Sequence, residues 1–172
     1  MSTMTATAAG DAPERDICAE AFALVCQTAD LLRERGERGG LLLVIGDFTG
    51  RLEIQDARDD LYPNPFRGRD MNVFDKAFHQ LLLAEAAVGK GAVVADGSGR
   101  ILGGGIMLVI EHLDVEVPNG CFMRHLAAAS TSIRADIQCV ITLSEETNLV
   151  RRFVSGRAIA TYDPSPTKPE TE

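Results

Sequence analysis

The segment VGKGAVVADGSGRILGGG, residues 88–105, limits the possible folds more than any other part of the chain. Seven of its eighteen residues are glycine and one is lysine, a composition shared by phosphate-binding loops and tight hairpins. The pattern argues against a P-loop, because Ala84 stands where the first glycine belongs and Lys90 precedes a glycine instead of serine or threonine. It also argues against a dinucleotide-binding loop, because Leu102 replaces the third glycine and an extended segment follows it.

The same segment predicts a β-hairpin. Residues 91–96, GAVVAD, have the composition of a strand, Gly97 and Gly99 suit the turn, and RILGGGIMLVI resumes as extended chain. The three glycines at 103–105 weaken a strand unless a β-bulge or a closely approaching ligand needs the space. The sequence leaves both interpretations open.

The segments before the hairpin predict two helices and two strands. ICAEAFALVCQTADLLRERGERGG, residues 17–40, has apolar residues at helical spacing and ends in glycine, which predicts a helix. LLLVIGD at 41–47 predicts a buried strand, and RLEIQD at 51–56 is a candidate hairpin partner for it. Residues 71–90 predict a second helix that ends at glycine, with Asn72 as a candidate N-cap.

The segment after the hairpin, residues 121–162, predicts a further helix and two strands. An alanine-rich stretch that opens on Arg124 and His125 has helical character, and IQCVITL at 137–143 is an apolar strand. A polar turn and one last strand follow.

The composition indicates a single soluble domain. The chain has 172 residues, of which 45% are hydrophobic, enough for one ordinary core. Residues 1–15 are small and polar, and residues 163–172 hold three prolines, so both ends are predicted to be disordered tails. The predicted domain therefore covers residues 16–162.

Charge and hydropathy exclude two classes of partner. The formal net charge is −8 and the sequence pI is about 4.9, which disfavours broad contact with nucleic acid or with anionic lipid. No apolar run has the length that crosses a bilayer, and the first residues lack the apolar core of a secretory signal. We therefore expect no nucleic acid and no membrane partner, and an anionic ligand has to be held locally.

The cysteines favour a reducing, cytoplasmic environment. The four of them lack C-x-x-C spacing and lie mostly in apolar runs, where a thiol usually acts as a small buried hydrophobe. We expect no structural metal from Cys18, Cys26, Cys121 and Cys139.

Arg124 and His125 have two interpretations. At a helix start, a guanidinium, an imidazole and free backbone N–H groups suit a polyphosphate. Alternatively Arg124 lies on a solvated face and His125 is a capped or core histidine, which position alone favours. Likewise SEET, residues 144–147, after a strand is by itself usually a turn with an acidic cap.

The order and spacing of three motifs resemble the diadenylate cyclase domain, found at the N-terminus of the DNA-integrity scanning protein and in related bacterial and archaeal cyclases. The motifs are Gly91-Ala92 at a strand start, then RHLAA, then SEET. NPFRGRDMNVFD and GRAIA also resemble family segments, and the similarity spans about residues 40–160. It implies an α/β fold of α+β character, with a central mixed β-sheet flanked by helices on both sides, and an adenine nucleotide, ATP or cyclic di-AMP, as ligand.

The resemblance assigns roles residue by residue. The family's Asp-Gly-Ala motif reads Lys90-Gly91-Ala92 here, so lysine replaces the metal-binding aspartate near the attacking ribose 3′-hydroxyl. The Arg-His-Arg-Ala-Ala motif keeps its first two phosphate-facing residues and has Leu126 in place of the second arginine, with Met123 before it where many members have threonine.

The remaining matches complete the candidate site. SEET matches fully, and Leu108 lies where members place an apolar residue against adenine. The candidate catalytic residues are Lys90, His125 and Glu145, and Glu146 is the candidate metal ligand. The candidate nucleotide-binding residues are Gly91, Ala92, Leu108, Arg124, His125, Ser144 and Glu145.

Lys90 decides between the functional hypotheses. Replacing a carboxylate by an ammonium changes the local charge by about two units and removes a hard oxygen ligand. We therefore favour a catalytically degenerate domain that senses an adenine nucleotide or a cyclic dinucleotide. The alternative is an active diadenylate cyclase that makes cyclic di-AMP from two ATP, with Mg²⁺ or Mn²⁺ held by Glu145 or Glu146. A third hypothesis is an interaction scaffold with an empty site, and the sequence leaves the oligomeric state open, a transient dimer included.

Overall fold

The described part of the chain forms three helices and seven strands. The computed structural model describes residues 14–47, 54–56, 64–84, 90–108, 110, 114–117 and 123–165. In chain order the elements are α1 (Ile17–Glu34), β1 (Leu41–Gly46), β2 (Ile54–Asp56), α2 (Lys76–Ala84), β3 (Ala92–Ala95), β4 (Ile101–Leu108), α3 (Met123–Ser132), β5 (Ile137–Leu143), β6 (Val150–Val154) and β7 (Arg157–Tyr162).

The strands form one mixed sheet in the order β2-β4-β3-β1-β5-β6-β7. β1 and β3 are parallel, and the five other pairs of neighbouring strands are antiparallel. A parallel pair cannot be joined by a tight turn, and α2 lies in the connection between β1 and β3. The predicted central mixed sheet is confirmed.

Helices cover both faces of the sheet, as predicted. Leu41, Leu43 and Ile45 of β1 belong to the apolar cluster that contains the buried side chains of α1 and α2. Leu42 and Val44 point the other way, into the cluster formed with the alanines of α3. Every residue of β1 is buried, because a central strand covered on both faces has no solvent-facing side.

The helix predicted from residue 17 is confirmed as α1. The Asp16 side chain accepts a hydrogen bond of 2.9 Å from the Ala19 N–H and caps the first turn. After the last turn Gly36 takes a φ of +66°, and its N–H and that of Glu37 donate to carbonyls of the last turn.

The glycine-rich segment is the β3–β4 hairpin, with bulges. The pairing register shifts twice between the two strands, and Gly91 and Gly105 adopt φ values of +72° and +70°. A Cβ atom on Gly91 would lie 2.7 Å from the carbonyl carbon of Gly105, and one on Gly104 would lie 2.6 Å from the Phe66 ring. The register shifts confirm the bulge interpretation. Glycine is needed at these positions because close backbone and ring contacts take the space that a side chain would occupy.

The predicted partner of the 51–56 segment was wrong. β2 pairs with β4, while β1 is flanked by β3 and β5. Two adjacent extended segments predict a hairpin by proximity, but β1 already has a neighbour at each of its two edges.

Two further boundaries differ from the prediction. α2 begins at Lys76 rather than after Asn72, which instead forms a bridge with Arg100 at the hairpin. The last predicted strand is two strands, β6 and β7, joined at Ser155 and Gly156. Both of these residues have positive φ, as the two central residues of a type I′ turn require.

The predicted tails lie largely outside the described residues, so the bounds of the domain stay a prediction. Within the described ranges, no helix combines the length and the apolar character needed to cross a lipid bilayer.

Candidate functional site

A cavity of about 870 Å³ lies beside the N-terminal end of β1. Its walls come from the α1–β1 connection, the end of α2, the start of β3, the end of β4, the first turn of α3 and the turn after β5. Its charged lining residues, among those described, are Glu37, Arg38, Lys90, Arg124 and Glu145, and its apolar ones include Leu42, Ile106, Leu108, Ile110 and Ala127.

The fold brings five of the sequence-predicted site residues to this one cavity. Lys90 and Gly91 precede β3, Leu108 ends β4, Arg124 lies in the first turn of α3, and Glu145 follows β5. These segments are far apart in the chain, and the order of the strands places them together.

Arg124 and Glu145 form an ion pair in the cavity wall. Nη2 of Arg124 donates to Oε1 of Glu145 over 2.6 Å. Nη1 of Arg124 donates to the carbonyl oxygen of Leu143 over 3.2 Å. The arginine side chain is 24% exposed and the glutamate side chain 57% exposed, so the guanidinium is held from two sides at the end of β5.

Gly40 leaves the space that Glu145 occupies. A Cβ atom at position 40 would collide with the Glu145 carboxylate group, lying 2.5 Å from its Cγ atom. The glycine therefore permits Glu145 to turn towards the cavity. Sequence analysis did not identify Gly40, because a glycine beside a predicted helix end is sufficiently explained by helix termination.

Asn148 ties the turn after β5 to the α1–β1 connection. Its side-chain nitrogen donates to the carbonyl of Glu37 over 2.9 Å, and its side-chain oxygen accepts from the N–H of Gly39 over 3.2 Å. Asn148 is buried and has a φ of +57°, a conformation that asparagine tolerates better than most residues. An asparagine after a polar turn was the available signal, and sequence analysis missed it.

The SEET segment forms a turn that directs its two neighbouring glutamates to different places. The N–H of Asn148 donates to the carbonyl of Ser144 over 2.9 Å, and the Ser144 hydroxyl accepts from the N–H of Glu146 over 3.3 Å. Glu145 lines the cavity, whereas Ser144 and Glu146 are not among the lining residues.

His125 lies beneath the α3 start and not in the cavity lining. It is buried, and its Nε2 atom lies 3.2 Å from Nη1 of Arg151. Because arginine only donates, Nε2 is the acceptor and the proton lies on Nδ1, which has no hydrogen-bond partner among the described residues. Burial first, then the charges of Arg151 and Arg124, lower the pKa of His125 to about 4.

This environment favours a neutral, structural histidine at position 125. Ala92, the second residue whose motif position implied ligand contact, is also buried, in the cluster that α3 covers. Neither residue lines the cavity, so Gly91 is the member of the Lys-Gly-Ala motif that joins Lys90 there.

The charged groups of the described wall do not fit a divalent cation. Mg²⁺ and Mn²⁺ prefer hard oxygen ligands, mainly carboxylates. The two wall carboxylates are Glu37 and Glu145, and the second is bound to Arg124. No cluster of three or more His, Cys, Asp or Glu side chains that could hold a metal occurs among the described residues.

The wall instead suits an organic anion. Arg38, Lys90 and Arg124 can bind acidic oxygen atoms. The apolar side chains of β1, β4 and α3 can pack against a flat aromatic ring. Arg38 was not among the predicted site residues, because an arginine after a helix end is usually solvated.

Two curated archaeal proteins are similar in sequence to this chain. The diadenylate cyclase of Methanocaldococcus jannaschii is 31% identical over 129 residues, which cover 75% of this chain and 40% of that protein. The diadenylate cyclase of Haloferax volcanii is 31% identical over 131 residues, 76% of this chain and 47% of that protein. The chain thus matches less than half the length of either relative.

Solved structures agree with the fold. A double mutant of DacA from Staphylococcus aureus superimposes with a TM-score of 0.54 and 19% identity, covering 81% of this chain and 85% of that one. A hypothetical membrane spanning protein from Bacillus cereus superimposes with a TM-score of 0.53 and 21% identity, covering 85% of this chain and 64% of that one. No model of a protein family matches the sequence. The solved structures share the fold, and the two archaeal relatives, 31% identical over about three quarters of this chain, identify it as containing a divergent diadenylate cyclase domain.

Proposed function

We propose that the domain binds an adenine nucleotide in the cavity of about 870 Å³ and senses it without converting it. The observation that carries the proposal is the place of Lys90, which lines the cavity beside Gly91. The family motif has a metal-binding aspartate at that position, so an ammonium group stands where the resemblance implies a carboxylate.

The wall supports nucleotide binding by its division into polar and apolar parts. Lys90 and Arg124 line the cavity and supply positive charge for phosphate oxygens. Leu108 at the end of β4 is half-buried and lies in the same wall. It offers an apolar surface for the adenine ring.

The same wall supports loss of catalysis. Cyclisation requires each ribose 3′-hydroxyl to attack the α-phosphorus of the other nucleotide, and a metal ion lowers the barrier by gathering the phosphate oxygens. Lys90 repels a cation, and the carboxylate of Glu145 is bound to Arg124. Nucleotide binding therefore survives the replacement of aspartate by Lys90 better than turnover does.

The ammonium of Lys90 takes over one task of the absent carboxylate–metal pair. It neutralises part of the phosphate charge directly, as a point charge. Nucleotide binding then proceeds without Mg²⁺ or Mn²⁺, which is the expected property of a sensor derived from a cyclase.

The test measures binding and turnover on the same preparation. ATP and cyclic di-AMP are titrated calorimetrically in chelator and again with Mg²⁺ or Mn²⁺, and each mixture is then separated by chromatography. We expect binding in chelator and no cyclic product with either metal. Rapid, metal-dependent synthesis of cyclic di-AMP by the unmodified protein would refute the sensor and establish the enzyme. Absence of binding under every condition would leave the scaffold hypothesis.

A further inference from the structure

The phosphate-facing arginine of the cavity already has a counter-ion from the protein itself. Arg124 binds Glu145 through Nη2, over 2.6 Å. Its other amino group, Nη1, donates to the Leu143 carbonyl. An incoming anion therefore has to lie beside the Glu145 carboxylate or displace it from Arg124.

The glutamate is directed to this place by its surroundings. The missing side chain at Gly40 leaves the space that the Glu145 carboxylate fills. The hydrogen bonds of Asn148 to Glu37 and Gly39 hold the turn after β5 against the α1–β1 connection. The neighbouring Glu146 is exposed and does not line the cavity.

We propose that Glu145 sets the charge selectivity of the cavity, because its carboxylate lowers the affinity for a triphosphate more than the affinity for a monophosphate or a phosphodiester. The proposal rests on the nucleotide-binding function proposed above. The proposed function states that the cavity and its cations bind an anionic nucleotide. This proposal states how Glu145 makes the affinity depend on the number of phosphate groups.

The physical reason is that repulsion grows with the charge of the ligand. A terminal phosphate carries about two negative charges at neutral pH, and each further phosphate group of a triphosphate adds charge near the same carboxylate. Coulomb repulsion is proportional to the product of the two charges. One fixed carboxylate therefore penalises ATP more than AMP when no metal ion screens the phosphates.

The remaining charges of the wall are the same in every protein of the comparison. Arg38 and Lys90 attract the more highly charged ligand more strongly, and Glu37 at the α1–β1 connection repels it more strongly. Among the described lining residues, Glu145 is the acidic one bound to Arg124. Its effect is thus local to the group that an anion would contact.

The experiment compares AMP and ATP in chelator for three proteins. The unmodified protein, Glu145→Gln and Glu146→Gln are titrated calorimetrically with each nucleotide. Glu145→Gln keeps the length of the side chain and a hydrogen-bonding oxygen but removes the charge. Glu146→Gln removes the same charge one residue away, outside the cavity lining, and controls for the change in overall charge.

We expect Glu145→Gln to tighten ATP binding by at least about tenfold and AMP binding by no more than about threefold, because the relieved repulsion scales with ligand charge. Glu146→Gln should change neither affinity by more than about twofold. The ratio of the ATP to the AMP affinity is the deciding quantity.

The other outcomes overturn the proposal in different ways. Weaker ATP binding by Glu145→Gln would make Glu145 a direct ligand, and equal changes for both nucleotides would make it a simple obstruction. If Glu146→Gln changed the ratio of ATP to AMP affinity as much as Glu145→Gln does, the effect would come from overall charge and not from the position of Glu145. If the unmodified protein binds neither nucleotide, nor cyclic di-AMP, the proposed function itself fails and this proposal fails with it.

Discussion

Arg124 in the first turn of α3 and Glu145 in the turn after β5 are joined by a 2.6 Å hydrogen bond between their charged groups, although twenty-one positions separate them in the chain. The pair closes one side of the cavity and connects two motifs that the sequence shows only as separate segments. Its exposed position means that the bond itself adds little to stability. Its importance lies in the charge that the cavity presents to a ligand.

Arg124→Ala should weaken nucleotide binding by about 1.5 to 3 kcal/mol, the range for a charge-assisted hydrogen bond. Calorimetric titration with ATP checks this. Arg100→Ala is the matched control, because Arg100 pairs with Asp70 and is not a lining residue of the cavity. Equal affinities of the unmodified protein and Arg124→Ala would remove Arg124 from the site.

Lys90→Asp should make nucleotide binding depend on metal. The unmodified protein is expected to bind ATP in chelator and to gain less affinity from Mg²⁺ than the aspartate variant does, because the ammonium of Lys90 already neutralises part of the phosphate charge. The aspartate variant should bind more weakly in chelator and regain affinity with Mg²⁺, since its carboxylate repels the phosphates and can coordinate the metal.

Lys76→Asp makes the same charge reversal at the start of α2, outside the cavity lining, and should leave the metal dependence as it is. Strong Mg²⁺ dependence of the unmodified protein would contradict the role assigned to Lys90. Lys90→Asp need not restore catalysis, because Met123 and Leu126 still depart from the common motif.

The free energy of unfolding should decrease as the pH falls, because His125 binds a proton more readily in the unfolded state. Its pKa in the folded state is about 4, below the value of about 6.5 in an unfolded chain, so the unfolded state binds more protons between these values. Stability is therefore fully retained above about pH 6.5 and falls as pH decreases towards about 4, by at most about 3 kcal/mol from this group.

Urea denaturation at pH 7 and pH 5 measures the effect. His125→Gln should lose less stability than the unmodified protein over this interval, because the titrating group is gone. His79→Gln is a comparison at a half-buried histidine. Burial lowers the pKa of His79, and a hydrogen bond to the Val73 carbonyl offsets part of that shift. The prediction fails if NMR shows the His125 imidazole titrating near pH 6.5.

Gly91→Ala should destabilise the fold more than Gly68→Ala. Both glycines have nearly the same positive φ, +72° and +71°, so both variants share a backbone cost of about 1 to 2 kcal/mol. A Cβ atom at Gly91 would also collide with the Gly105 backbone, whereas one at Gly68 would meet no atom within 4 Å.

The difference between the two unfolding free energies isolates the steric term at the bulged hairpin. We expect Gly91→Ala to cost at least about 1 kcal/mol more. Equal losses would show that β3 and β4 can separate without cost at that point.

Local patterns in the sequence were sufficient to predict most of the helices and strands and the family resemblance. Apolar residues at helical spacing and a terminal glycine predicted α1, and the Gly97 and Gly99 turn predicted the β3–β4 hairpin. The order of the Gly-Ala, Arg-His and SEET motifs indicated the family that the archaeal relatives support. These features depend on residues close together in the chain, where propensity, capping and turn chemistry act.

Which residues share the cavity depends on how the strands and helices pack, and local sequence patterns did not predict it. β2 pairs with β4 instead of the strand next to it in sequence, and one glutamate of the SEET turn enters the cavity while its neighbour does not. The same packing buries His125 against Arg151 and adds Arg38 to the wall. The physical reason is that strand order and the direction of a turn follow from long-range pairing and from the burial of both faces of the sheet, which no local pattern specifies.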